Sequence, residues 1–139
     1  MNNLYEIKIR RTKRYGEDNT TNVKETHVYK GASFSDAEAR INLSLANWTI
    51  GDIEILSMKK VAPHDILPPQ TDNDKIFKCK AALIIVDGDK ETHKPVFFYV
   101  FAVDIETARR RMAEYLVKNY DAELLSVEET KIASMCSTL

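Results

Sequence analysis

Tyr5-Glu6-Ile7-Lys8-Ile9 returns as Phe77-Lys78-Cys79-Lys80-Ala81, and this strand written twice decides the fold. Two further blocks recur in the same order. Phe34-Ser35-Asp36-Ala37 returns as Ile105-Glu106-Thr107-Ala108, and Glu54-Ile55-Leu56-Ser57-Met58 returns as Glu123-Leu124-Leu125-Ser126-Val127. The spacings are 72, 71 and 69 residues, so one unit occupies the 139-residue chain twice. A repeat at a near-constant period settles architecture before any local motif does.

Each copy reads as strand-strand-helix-strand. Tyr5, Ile7 and Ile9 alternate with Glu6, Lys8 and Arg10, the period-two pattern of a strand with one apolar and one wet face. Tyr15 to Asn22 is a turn region, and Val23 to Ala32 returns as the second strand. Ser33 or Ser35 caps the helix that follows, with Asp36 and Glu38 in the first turn, where the helix dipole favours anions. Phe34, Ala37, Ile41, Leu45 and Trp48 form its apolar stripe, with Phe34 and Trp48 expected to anchor the core. Gly51 ends the helix, and Asp52 to Val61 is the third strand. The second copy follows with Ile76 to Val86, a turn at Asp87-Gly88-Asp89, Pro95 to Val103, a helix from Asp104 to Asn119, and Ala122 to Ile132.

The expected class is therefore α+β, mainly antiparallel sheet. It is one domain of repeat 1 (1–62), a Pro-containing linker (62–75) and repeat 2 (76–133). A unit of this size covers only one face of a three-stranded sheet with its helix, so the copies are expected to pack about a pseudo-twofold axis. The Pro95–Val103 run is apolar on both alternating faces, which predicts a central or interfacial strand.

Composition is that of an ordinary globular chain, 44% hydrophobic and 29% charged, with net charge -1. Residues 1–62 hold 10 Lys/Arg against 8 Asp/Glu, and residues 63–139 hold 10 against 13. No long-range field follows. Cys79 and Cys136 make no metal or redox spacing and fit a reducing compartment. The absence of a signal-like start or a membrane-length apolar run leads to the expectation of a soluble, cytoplasmic protein.

Three stretches, Tyr5 to Ile9, Ala32 to Ile41 and Glu54 to Lys60, resemble a domain family of unknown function common in Bacteroides-type bacteria and their phages. The resemblance spans nearly the whole chain and brings no established catalytic or binding residues. It implies a phage or mobile-element setting, in an infected or host bacterial cell or in a virion.

Catalytic chemistry finds no support in the residues. His27, His64 and His93 lack ligand spacing, so no metal is expected, and Asp87-Gly88-Asp89 reads as a turn because no twelve-residue calcium loop follows. With four glycines there is no phosphate-cradling loop, and neither Ser57 nor Ser126 sits in a nucleophile elbow. No catalytic residue and no cofactor are assigned. Arg109-Arg110-Arg111 reads as a solvated helix face with i,i+4 pairs to Glu106 and Glu114.

Basic strands carry the functional expectation. Lys8 and Lys80 occupy one place in the two copies, with Arg10 and Lys78 beside them and Arg11, Lys13 and Arg14 extending the first strand. Duplicated cations on a wet sheet face, with Tyr29, Phe97, Tyr99 or Phe101 as stacking platforms, fit single-stranded DNA. The bland reading is a solubilising face over buried aromatics. The alternative function is a virion-assembly or host-protein interaction component, in which Phe97, Phe101 and exposed sheet edges join partners or copies into a homo-oligomer.

Overall fold

A computed structural model describes residues 3–14 and 19–139, so the Tyr15–Asp18 part of the first expected turn lies outside the described residues. The fold is α+β, and the chain divides into two compact units. The first is Met1–Ala62 with Lys131–Cys136, and the second is Pro63–Thr130 with Ser137–Leu139.

In the first unit, β1 (Asn3–Arg14), β2 (Thr20–Gly31), β3 (Ile50–Val61) and β8 (Ile132–Met135) form a sheet in the order β3-β1-β2-β8. The β1–β2 and β1–β3 pairs are antiparallel, and β8 runs parallel to β2. Alternation along β1 sends Tyr5, Ile7 and Ile9 to the face covered by α1 (Phe34–Leu45), where they meet Ala37, Ile41 and Leu45. Each aliphatic side chain buried in this way contributes about 1.5–3 kcal/mol. The Ser33 hydroxyl caps α1 by accepting from the Asp36 amide at 3.1 Å.

The second unit repeats the plan with β4 (Asp65–Leu67), β5 (Lys75–Asp87), β6 (Lys90–Ala102), α2 (Ile105–Asn119) and β7 (Ala122–Glu129), in the sheet order β4-β6-β5-β7. Phe77, Cys79 and Ala81 of β5 and Phe98, Val100 and Ala102 of β6 pack on Ala108, Met112 and Leu116 of α2. Gly88, at φ +64°, makes the two-residue β5–β6 turn that a first-position glycine allows. The strand apolar on both faces is central, as its pattern requires.

The duplication extends to hydrogen-bond register. Ile9 opposes Glu25 as Ala81 opposes Val96, and Lys8 opposes Ser57 as Lys80 opposes Ser126. Both third strands then carry a bulge at the same point. The pairing skips Leu56 in β3 and Leu125 in β7.

Three expectations need correction. The 62–75 segment, expected as a Pro-containing linker, holds a strand of its own, since Asp65–Leu67 is β4, parallel to β6, with Ile66 opposite Tyr99. The last strand ends at Glu129 rather than Ile132, and Ile132–Met135 joins the first sheet with Met135 opposite Val28. These alignments are repeat-equivalent, so each sheet takes its fourth strand from the segment that follows the other sheet's third strand. Finally, Trp48 is 71% and Phe34 48% exposed. The helix tightens into a 3-10 turn at Ala46–Trp48, which rotates Trp48 off the stripe, while Phe34 at the first helical position lies against Tyr5, at 4.8 Å between ring centroids.

These placements separate two substitutions. A Cβ on Gly31 would stand 2.8 Å from the Ala37 amide nitrogen, so Gly31→Ala should destabilise by about 1–3 kcal/mol in urea denaturation. Trp48→Ala should stay within about 0.5 kcal/mol, and a loss of several kcal/mol there would show that the indole is buried.

Candidate functional site

Alternation along β5 turns Lys78 and Lys80 away from α2, and the antiparallel register brings Phe97 of β6 directly opposite Lys80 on the same face. Ser126 of β7 opposes Lys80 from the other side, next to the bulged Leu125. Lys78, Lys80, Pro95, Phe97 and Leu125 thus line one cleft of about 220 Å³. The Lys78 ammonium lies 4.6 Å from the Phe97 ring centroid, so the aromatic face is accessible to a cation. The cleft combines two cations, a flat ring and an aliphatic wall, which suits a ligand with a planar part and a negative part.

Of the residues the sequence marked, Lys78 and Lys80 come together there with Phe97 as platform. Tyr99 and Phe101 do not line it. They are buried at 3% and 8% exposure, because the central strand is covered on both faces. Tyr29 points to the helix side of the first sheet, where its hydroxyl meets Ser44 at 2.9 Å and Ser134 at 3.2 Å, so it is no surface platform.

On the wet face of the first unit, Lys8 is exposed, Arg10 pairs with Glu54 at 3.1 Å and Lys59 with Glu6 at 3.0 Å. Thr26 opposes Lys8 there, where the second copy has Phe97. At the place equivalent to Phe97 the first unit therefore has no aromatic ring beside Lys8. With Lys131 added to the surplus of residues 1–62 the first unit is +3, which leaves -4 on the second.

Sequence reasoning missed a buried polar chain in the first unit. Arg11 is not part of the basic strand surface. It is buried, its guanidinium donating to Glu25 at 2.5 Å and to the Trp48 carbonyl at 2.7 Å. Glu25 also meets His27 Nε2 at 3.4 Å, and His27 Nδ1 meets the Ser134 hydroxyl of β8 at 2.6 Å. One proton arrangement fits every group: Ser44 donates to Tyr29, Tyr29 to Ser134, Ser134 to His27 Nδ1, and His27 Nε2–H to Glu25. Burial holds the His27 pKa below its usual value against the pull of Glu25. Burial raises Glu25, but Arg11 outweighs it, with His27 adding to the drop, and the carboxyl ends below its usual range.

In the second copy the same three places are Leu83, Val96 and Phe98, all apolar. Comparing the copies position by position would have revealed the network as Arg, Glu and His where a core side chain belongs. Its counterpart is simpler. Tyr115 of α2 donates directly to Asp65 of β4 at 2.8 Å, so a long side chain does in one step what Ser44, Tyr29 and Ser134 do in two. Each fourth strand is held by a polar side chain at the same place, Ser134 or Asp65.

Elsewhere, Arg111 is no solvated helix residue, since its guanidinium donates to the Phe101 carbonyl at 2.6 Å, while Arg109 pairs with Glu106. Trp48 stands in a cleft of about 420 Å³ with Arg14, Asn47, Thr49 and Ile50. Burial pushes the Cys79 thiol up to about 12, which makes it unreactive. Among the described residues no group of His, Cys, Asp and Glu is placed to hold a metal ion, and no helix is long and apolar enough to cross a membrane.

A family model described as a domain of unknown function (DUF4494) matches residues 3–138. No curated protein and no solved structure matches the chain.

Removing one member of the part-buried Arg11–Glu25 pair strands the other, so Arg11→Leu or Glu25→Val alone should cost about 1–3 kcal/mol. The double variant, which installs the residues of the second copy, should be more stable than either single one, and a double-mutant cycle without positive coupling would refute this. A second expectation concerns pH. Because the folded protein holds His27 below 6.5, protonation favours the unfolded chain, and stability should fall as pH drops from about 6.5 towards the folded value. Thermal melts between pH 7.5 and 5 should show this fall, flattened in His27→Phe. Equal slopes in the two proteins would exonerate His27.

Proposed function

Because the chain belongs to the DUF4494 family, whose function is unknown, its surface chemistry is the guide, and we propose that it is a non-enzymatic single-stranded nucleic-acid-binding protein. The observation that carries this is the convergence of Lys78, Lys80 and Phe97 in one cleft. Unpaired bases expose flat faces that stack on an aromatic ring, and duplex bases do not, so the ring favours single strands. The lysines supply backbone neutralisation. When a base takes the ring face, the Lys78 ammonium that now lies over it is free to move to a phosphate, so one swing of a flexible side chain serves both contacts.

The opposite charges of the two units bear on how binding would depend on salt. With -4 on the unit that holds the cleft, long-range attraction is weak, and affinity rests on contacts at short range. Lys8, at the equivalent place on the first unit, offers a second phosphate contact without a stacking partner. A phage or mobile-element replication setting, as the resemblance implies, is one in which single strands are exposed and need covering.

Binding of labelled single-stranded and duplex DNA, titrated over salt, checks the reading. Lys78→Gln with Lys80→Gln should flatten the log-log salt slope by about 1.4, from about 0.7 per neutralised phosphate. Phe97→Leu should cost about 1–3 kcal/mol of affinity and leave the slope unchanged. Lys8→Gln should flatten the slope by a further 0.7 or so if the first unit takes part. Absence of binding by the wild type at low salt, or variants indistinguishable from it, would overturn the proposal.

A further inference from the structure

Among the described residues each sheet has two edge strands, a short one, β8 or β4, and a long one, β3 in the first unit and β7 in the second. An apolar bulge interrupts each long edge at the same place, leaving Leu56 40% and Leu125 54% exposed. Beside the β7 bulge the exposed Ile105 begins α2, and Phe34, also exposed, holds the same helical position in the first copy. In the second unit, Ile105, Leu124, Leu125 and Val127 line a cleft of about 320 Å³ on the α2 side of β7. Surface leucines scattered singly call for no explanation, but exposed apolar side chains kept at the same two positions in both copies do.

The charges that follow the bulged leucines are reversed between the copies. Where β3 has Lys59 and Lys60, β7 has Glu128 and Glu129, all four exposed. Lys59 pairs with the half-buried Glu6 at 3.0 Å, and Glu129 with the exposed Lys75 at 3.5 Å, so both outer groups stay in contact with solvent. The exposed Lys75–Glu129 pair is worth little and exchanges readily. Aligning the two edges in parallel on their bulged leucines sets Lys59 against Glu128 and Lys60 against Glu129.

We infer that the β3 edge of one molecule docks on the β7 edge of a second copy of this chain. The contact is heterologous, Leu56 with Leu125 at its centre and the Lys59–Lys60 and Glu128–Glu129 pairs beside it, so repetition builds a head-to-tail row or a closed ring. A β7-to-β7 contact would set acid on acid. The bulges stop a continuous hydrogen-bonded ladder, which keeps the association reversible and dependent on side chains. The +3 and -4 units orient the approach. Because Leu125 also lines the Lys78–Lys80–Phe97 cleft, the association is measured without nucleic acid.

Sedimentation of the full chain over a wide concentration range should reveal association that weakens as salt rises. Lys59→Glu with Lys60→Glu should weaken it at least tenfold, and so should Glu128→Lys with Glu129→Lys. Mixing the two variants should restore it, since each then offers the sign the other lacks. Circular dichroism checks that both variants remain folded. A wild type that is monomeric at every concentration overturns the inference. So does association that survives both variants, fails to return on mixing, or responds to the β3 variant alone, which would mark a β3-to-β3 contact.

Discussion

The outer edge of the second strand in each copy is the constraint on which the rest of the fold depends. β6 is buried on both faces along its second half, and Val28 and His27 of β2 are likewise buried. Backbone N–H and C=O groups on the outer side of such strands have no water to turn to, so another strand has to meet them. One copy of the repeated unit holds only three strands and a helix. β4 and β8 supply the missing partners, and each comes from beyond the third strand of the other copy. The true repeating element therefore has four strands, the last of which serves the other sheet.

The same junction explains where the copies diverge. Holding a short parallel strand of three or four residues needs more than its few ladder bonds. The second unit holds β4 with the Tyr115–Asp65 hydrogen bond, an Arg111 contact to the Leu67 carbonyl and, just before the strand, His64 against the Tyr120 hydroxyl, above an apolar core. The first holds β8 through the relay from Ser44 to Glu25, closed by the Arg11 guanidinium. A buried ionic chain adds little net stability compared with well-packed apolar side chains, but it is directional. The first sheet accordingly grips its fourth strand through a network built around the buried His27.

Duplication also separates two surfaces by chemistry. Lysines kept at one place on both wet faces gained an aromatic neighbour only in the second copy, where Phe97 replaces the equivalent Thr26. At the open edges the apolar bulge was kept and the charges were inverted. Divergence of this kind turns two similar faces into a binding cleft and a complementary pair of edges, two properties that a single copy cannot provide.

Alternation, helical stripes and the ordered repeat determined much of this protein from sequence alone: the α+β class, the six main strands and two helices, the outward lysines and the central aromatic strand. Those features depend on residues near one another along the chain, where side-chain period reports the local environment. What only tertiary structure decided involves partners far apart in sequence. The exchanged strands, the burial of Arg11 against Glu25 and of Tyr99 within the sheet, and the gathering of Lys78, Lys80, Phe97 and Leu125 all depend on which strand lies beside which. The turn that took Trp48 out of the core is the instructive exception. It is local, yet the stripe pattern extended smoothly through it, because a periodicity argument assumes the α-helical 3.6-residue turn and cannot register where the last turn tightens into a 3-10 one.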